Sequence, residues 1–203
     1  MNVKLNTHPF HYLEVKDLFT KEESDKILSE CLYYESQQLL KQPENTGTAK
    51  ADDGTILKRN KGIFLDEVYQ KRELSPTLNI NRKFFDVFNH KETTKSWYFH
   101  DLINLINADS TLLSYYENAD YYKPHIDKVF ITGLTWFYKE PKKFKGGNLV
   151  FTDHNIEIEC RQNYTILFPS NTKHAVTEVK LPKKYLGQGL GRFTMTQFCH
   201  INM

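Results

Sequence analysis

The chain has 203 residues, 39% of them hydrophobic and 14% aromatic, with a formal net charge of +2. That length supports one well-buried core and is short for two independent domains of ordinary size, and the aromatic load excludes an intrinsically disordered chain. So small a net charge leaves no basic stripe for nucleic acid, and no apolar run is long enough to span a membrane.

Taken in chain order, the N-terminal residues Met1 to His8 lack the apolar segment of a signal peptide. The three cysteines, Cys31, Cys160 and Cys199, have neither zinc spacing nor an even count, which favours a reducing compartment. A cytoplasmic protein is expected. Phe10 to Val15 reads as a first strand, and Thr20-Lys21-Glu22-Glu23 as a capping box that opens a helix carrying Ile27, Leu28, Cys31 and Leu32. Gln42 to Gly62, polar and glycine-bearing, predicts a mobile surface flap. Ser75-Pro76 predicts a helix start leading through Phe84, Phe85 and Phe88, and Trp97 to Leu105 a further helical or extended piece.

From Leu112 the texture changes to short alternating runs: Leu112 to Tyr116, Ile131 to Tyr138, Asn148 to Thr152, Ile156 to Cys160, Tyr164 to Phe168, Ala175 to Val179 and Arg192 to Cys199. Such spacing is the signature of an antiparallel sandwich or barrel, with runs enough for a double-sheet jelly roll. The expected fold is α+β, mainly β: one domain over 1–203, with N-terminal helical support and the flap in 1–110 and a double-stranded β-helix (jelly roll) core in 111–200. The lysine-rich stretch Lys139 to Lys145 reads as a solvated turn.

The chemistry concentrates in Tyr122-Lys123-Pro124-His125-Ile126-Asp127. This run reads as a strand, so His125 and Asp127 point to the same face. Adding one imidazole from a neighbouring strand gives two histidines and one carboxylate on one face of a metal, the arrangement of non-heme Fe(II) oxygenases. His174 is the best candidate for that third ligand.

Tyr116 to Asp127, the hairpin Phe144-Lys145-Gly146-Gly147-Asn148-Leu149-Val150-Phe151, and Tyr164 to Ser170 leading to His174-Ala175-Val176 occur in one order. Together they resemble a prolyl 4-hydroxylase-like 2-oxoglutarate/Fe(II) dioxygenase over about residues 110 to 200. The resemblance implies that His125, Asp127 and His174 hold Fe(II), that 2-oxoglutarate and O2 are co-substrates with ascorbate a candidate addition, and that a basic residue pairs with the distal carboxylate of 2-oxoglutarate. Succinate and carbon dioxide leave as the substrate is hydroxylated. A peptidyl residue, prolyl first, is the expected substrate; a free amino acid or small metabolite is the alternative, and a non-catalytic jelly-roll binding module a third reading. The sequence gives no oligomeric state.

Arg192 is the expected anchor, because it starts an alternating strand and its planar fork suits a carboxylate. It departs from the family pattern in lying 192 − 174 = 18 positions after His174; Lys184, in a loop, is the rival at 184 − 174 = 10. Tyr116 is a candidate hydrogen-bond partner of 2-oxoglutarate, and Thr194 shares the face of Arg192. Trp136 and Tyr138 share a face as well, with core packing the simpler role for Trp136, and His154 reads as a hairpin residue. Gly146-Gly147 reads as a turn that needs positive φ.

Overall fold

Eleven strands in two antiparallel sheets, with four short to medium α-helices outside them, make up the described part of the computed structural model, residues 1–47 and 49–202. The strands are β1 (Asn2–Asn6), β2 (Tyr12–Lys16), β3 (Lys61–Phe64), β4 (Ala108–Tyr116), β5 (Tyr122–His125), β6 (Ile131–Phe137), β7 (Leu149–Phe151), β8 (Ile156–Ile158), β9 (Tyr164–Pro169), β10 (His174–Val176) and β11 (Arg192–His200). The larger sheet runs β1-β2-β9-β6-β11-β4-β3 and the smaller β5-β10-β7-β8. This is the expected jelly-roll architecture.

Alternation along the strands decides what meets what. On β11, Phe193, Met195 and Cys199 join a core with the helices, while Arg192, Thr194, Thr196 and Phe198 face a cavity between the sheets. β4, paired with β11 so that Arg192 stands opposite Tyr116, repeats the split: Leu113 and Tyr115 face the helices, and Leu112, Ser114 and Tyr116 the cavity. Gly133 on β6 lets the segment carrying Phe84 pack against the outer face of the larger sheet, since a Cβ there would lie 2.0 Å from the Phe84 ring.

The helical layer follows its local signals. Helix α1 (Lys21–Ser36) starts at the expected capping box: the Glu23 N–H donates to the Thr20 hydroxyl at 3.2 Å, and the Thr20 N–H to the Glu23 carboxylate at 2.8 Å. Ile27, Cys31 and Tyr34 form its buried face. A short helix α2 (Leu65–Val68) follows β3. Ser75 caps α3 (Pro76–Ile80), which tightens into 3₁₀ turns over Asn81–Val87, and Ser96 caps α4 (Trp97–Ile103).

Two expectations change. The N-terminal part is more than helical support, because β1, β2 and β3 all join the larger sheet. β1, an edge strand, does alternate, with Val3 and Leu5 between polar residues, but two apolar positions in five residues are too short a signal to reveal it, and β2 starts at Tyr12 rather than Phe10. Gln42 to Gly62 is also not a segment too polar to pack. Thr46, Lys58 and Asn60 are buried, Leu57 and Arg59 exchange backbone hydrogen bonds with Lys123 and Tyr121, and the segment runs into β3. Thr48, within that expected flap, lies outside the described residues. Among the described residues no helix is long and apolar enough to cross a membrane, and all three cysteines are buried free thiols.

Candidate active site

β5 and β10 pair so that His174 stands directly opposite His125. Asp127 arrives differently from the expectation: β5 ends at His125, and Asp127 sits in the turn beyond it. Its N–H donates to the Ser170 carbonyl at 2.9 Å, which pins the turn against the end of β9. Donor atoms of His125, Asp127 and His174 then lie within 4.8 Å of one another. The Nε2 atoms of His125 and His174 are 3.7 and 3.5 Å from the two Asp127 carboxylate oxygens.

The surroundings suit a metal. Each imidazole Nδ1 lies 2.9 Å from a backbone carbonyl, Lys123 for His125 and Thr172 for His174. Donation there fixes the tautomer and leaves the Nε2 lone pairs aimed at the common centre. Burial, with the neighbouring His174, pushes the His125 pKa down to about 3, so that ring is neutral and ready to ligate. Tyr122 stacks on His125 with ring centres 3.6 Å apart. The Thr132 hydroxyl donates to Asp127 Oδ2 at 2.7 Å and is itself 2.9 Å from the Ser170 hydroxyl, so a short polar chain orients the carboxylate. A divalent cation with open coordination positions fits this donor set.

Arg192 lies in the same cavity, 1% exposed, with its Nε and Nη1 lacking partners. Its guanidinium carbon is 4.4 Å from the Tyr116 ring centre and 5.9 Å from that of Trp136, a favourable seat for the cation. A buried charge with unspent donors is costly, and a bound carboxylate would satisfy it. Thr194, also buried with an unpaired hydroxyl, sits alongside. Lys184 is exposed in the turn Lys183–Tyr185 and does not line the cavity.

The glycine pair of the hairpin explains itself here. Both residues have positive φ; a Cβ on Gly146 would lie 2.1 Å from the Glu178 carbonyl oxygen, and one on Gly147 2.6 Å from Arg192 Cδ. Gly147 therefore serves both the turn and the seating of Arg192. Trp136 is fully buried beneath the guanidinium and belongs to the core between the sheets, whereas Tyr138 lies off the cavity beside Phe144. His154 stacks on Phe10, away from the cluster.

Lys58 and Asn60 were missing from the sequence reading. Alternation between Lys58 and Gly62 turns Lys58, Asn60 and Gly62 inward, and the first two line the cavity. Burial pushes the Lys58 pKa down to about 8, with Asp127 opposing the shift. A period-two reading of Lys58-Arg59-Asn60-Lys61-Gly62 was available, but its inward positions are polar, so hydrophobicity gave no signal. Thr132 and Ser170 carried none either.

Residues 111–200 match the family model described as 2OG-Fe(II) oxygenase superfamily. A search of curated proteins finds no match. Among solved structures, the chain is similar to a Pseudomonas putida prolyl-4-hydroxylase (TM-score 0.65, 11% identity, covering 95% of this chain and 93% of that one). It is also similar to a viral collagen prolyl hydroxylase from Paramecium Bursaria Chlorella virus-1 in its 2OG complex (0.55, 13%, 94% and 96%). A third is NgTET1 in complex with 5mC DNA (0.58, 15%, 94% and 72%). At these identities the structural likeness establishes the fold, and the family match falls on the stretch that carries the metal-ligand cluster and Arg192. The jelly-roll core, residues 111–200, matches the 2OG-Fe(II) oxygenase superfamily over the stretch that carries the His-Asp-His cluster, and the chain is an enzyme that uses Fe(II), 2-oxoglutarate and O2.

Proposed function

We propose that this oxygenase hydroxylates a peptidyl residue, prolyl first, with His125, Asp127 and His174 holding the iron and Arg192 pairing with the distal carboxylate of 2-oxoglutarate. The observation that carries the site assignment is the buried guanidinium with unpaired donors in the cavity that also holds the three metal-ligating side chains. Bound there, Fe(II) supplies the activation of O2 that couples oxidation of 2-oxoglutarate to hydroxylation of the substrate. The chain's own residues do the rest. Backbone carbonyls of Lys123 and Thr172 hold the imidazole tautomers, Thr132 and Ser170 orient Asp127, Tyr116 and Trp136 seat Arg192, and Thr194 offers a hydroxyl beside it.

The likeness to two prolyl hydroxylases supports the prolyl reading. A free amino acid or other small metabolite is favoured by a different observation: the cavity is only about 90 Å³, with Thr46, Gly47, Lys58 and Asn60 of the flap among its walls. For a peptide to bind, this flap must move aside, and once closed over the peptide it excludes water. One similar structure holds DNA, but a net charge of +2 supports a substrate other than nucleic acid. Incubating iron-loaded protein with 2-oxoglutarate and, in separate arms, a prolyl peptide, free proline and a 5mC duplex distinguishes the three. Succinate release with a gain of one oxygen atom is expected on the peptide, together with slowed amide exchange in residues 42–62. Oxygen gain on free proline or DNA alone would overturn the peptide reading.

Gly147→Ala tests the seat of Arg192. The added methyl meets Arg192 Cδ at 2.6 Å and strains a backbone at φ +70°. We expect 2-oxoglutarate to bind about tenfold more weakly, a loss of about 1.4 kcal/mol, and Tm to fall by about 2–4 °C per kcal/mol of strain. Calorimetric titration of 2-oxoglutarate and a melting curve read both, and unchanged 2-oxoglutarate affinity would count against the anchor assignment.

A further inference from the structure

Three charged side chains line the cavity: Asp127, Arg192 and Lys58. The first two have roles in the site proposed above, and Lys58 has none. It is 5% exposed and has no hydrogen-bond or ion-pair partner among the described residues; its ammonium stands 5.7 Å from the Tyr122 ring centre. The burial is built in. The Lys58 backbone bridges Tyr122, the Tyr122 hydroxyl accepts from the Ala49 N–H at 3.0 Å, and Tyr122 stacks on the candidate ligand His125. Lys58 is thereby held in the metal cavity by the flap itself.

A buried ammonium without a hydrogen-bond or ion-pair partner, felt only at longer range by Asp127, is expensive and is retained where a further anion will meet it. The other charges of the loaded site cancel: iron's two positive charges and Arg192 are matched by Asp127 and the two carboxylates of 2-oxoglutarate. Lys58 then leaves one positive charge in a closed, low-dielectric space, where an opposite charge on an incoming molecule gains most.

We propose that Lys58 is a specificity-determining residue that binds a carboxylate on the substrate, so that the enzyme takes acidic substrates and rejects their uncharged counterparts. This deepens the functional reading above and rests on its assignment of the site.

The test measures binding to protein loaded with zinc(II) and 2-oxoglutarate, by calorimetry, with N-acetyl-L-proline, N-acetyl-L-leucine and the carboxamide of each as probes. In the wild type both acids are expected to bind at least about tenfold more tightly than their amides, consistent with the cost of losing a partner for a buried charge. That preference should collapse to within about twofold in Lys58→Met and persist in Lys58→Arg. Titration of 2-oxoglutarate, which depends on Arg192, verifies that each variant keeps its site, and Lys58→Gln replaces Lys58→Met if the latter does not fold. Acids that bind no better than amides in the wild type, or a preference that survives in Lys58→Met or Lys58→Gln, would overturn the proposal. Preference for the proline ring over leucine is read separately from acid against amide. Failure of the prolyl reading therefore leaves an acid preference without a ring preference, whereas failure of the Lys58 proposal removes the acid preference itself.

Discussion

Asp127→Ala is expected to lower substrate turnover by more than about a hundredfold and to weaken metal binding alongside. Loss of an outer-shell partner of a metal ligand already costs about 10- to 100-fold, and Asp127 is a proposed ligand. It is also the one carboxylate of the cluster, so its loss removes the charge that holds a dication between two neutral imidazoles. His125→Ala and His174→Ala should behave alike. Thr132→Val, which removes the hydroxyl 2.7 Å from Asp127 Oδ2, should fall in the milder outer-shell range. Equilibrium binding of Fe(II) under anaerobic conditions and initial rates of succinate formation check this ranking. An Asp127→Ala protein with full activity would contradict the assignment of the metal site.

The second large effect is expected at Arg192. The residue is 1% exposed, lines the cavity, and leaves its Nε and Nη1 unpaired. Removing one member of a buried, hydrogen-bonded charge pair costs about 2–5 kcal/mol, so 2-oxoglutarate should bind between about 30-fold and several thousandfold more weakly to Arg192→Ala. Lys184→Ala should leave the affinity within about twofold, because exposed charges contribute little and Lys184 is a surface residue beside the Tyr185 ring. The comparison separates a true anchor from general weakening of the fold, provided both melting temperatures are measured. The opposite ranking would transfer the anchor to Lys184.

How far the sequence revealed the structure depended on whether a residue's role left a local pattern. The Thr20 capping box and the Ser75-Pro76 start were legible, because a cap is a short-range arrangement of a side chain and nearby N–H groups. The strands of the core were legible as short runs rich in β-branched and aromatic residues bounded by turn residues, and β6 and β9 are buried on both faces. β1 was not: its alternation rests on Val3 and Leu5 alone, and pairing with β2, a tertiary circumstance, holds it at the sheet edge. That His125, Asp127 and His174 come together as a candidate metal site was legible in the sequence, but the means of their meeting was not. His125 is on the strand, whereas Asp127 reaches its position from the following turn through the Ser170 carbonyl, a contact 43 positions away that no local spacing encodes. Lys58 failed to register for the opposite reason. Within a polar segment it reads as one more surface lysine, and only the packing of that segment across the cavity turns it inward.

One cavity is proposed to hold the metal on His125, Asp127 and His174 and the far end of 2-oxoglutarate on Arg192. A crystal structure of the protein grown anaerobically with Mn(II) and 2-oxoglutarate tests it most directly. Expected there is one metal ion ligated by Nε2 of His125, Nε2 of His174 and a carboxylate oxygen of Asp127, with the distal carboxylate of 2-oxoglutarate on the Arg192 guanidinium and Lys58 facing space left for the substrate. A metal bound elsewhere, or a distal carboxylate seated on Lys184 or Lys58 with Arg192 unengaged, would contradict it.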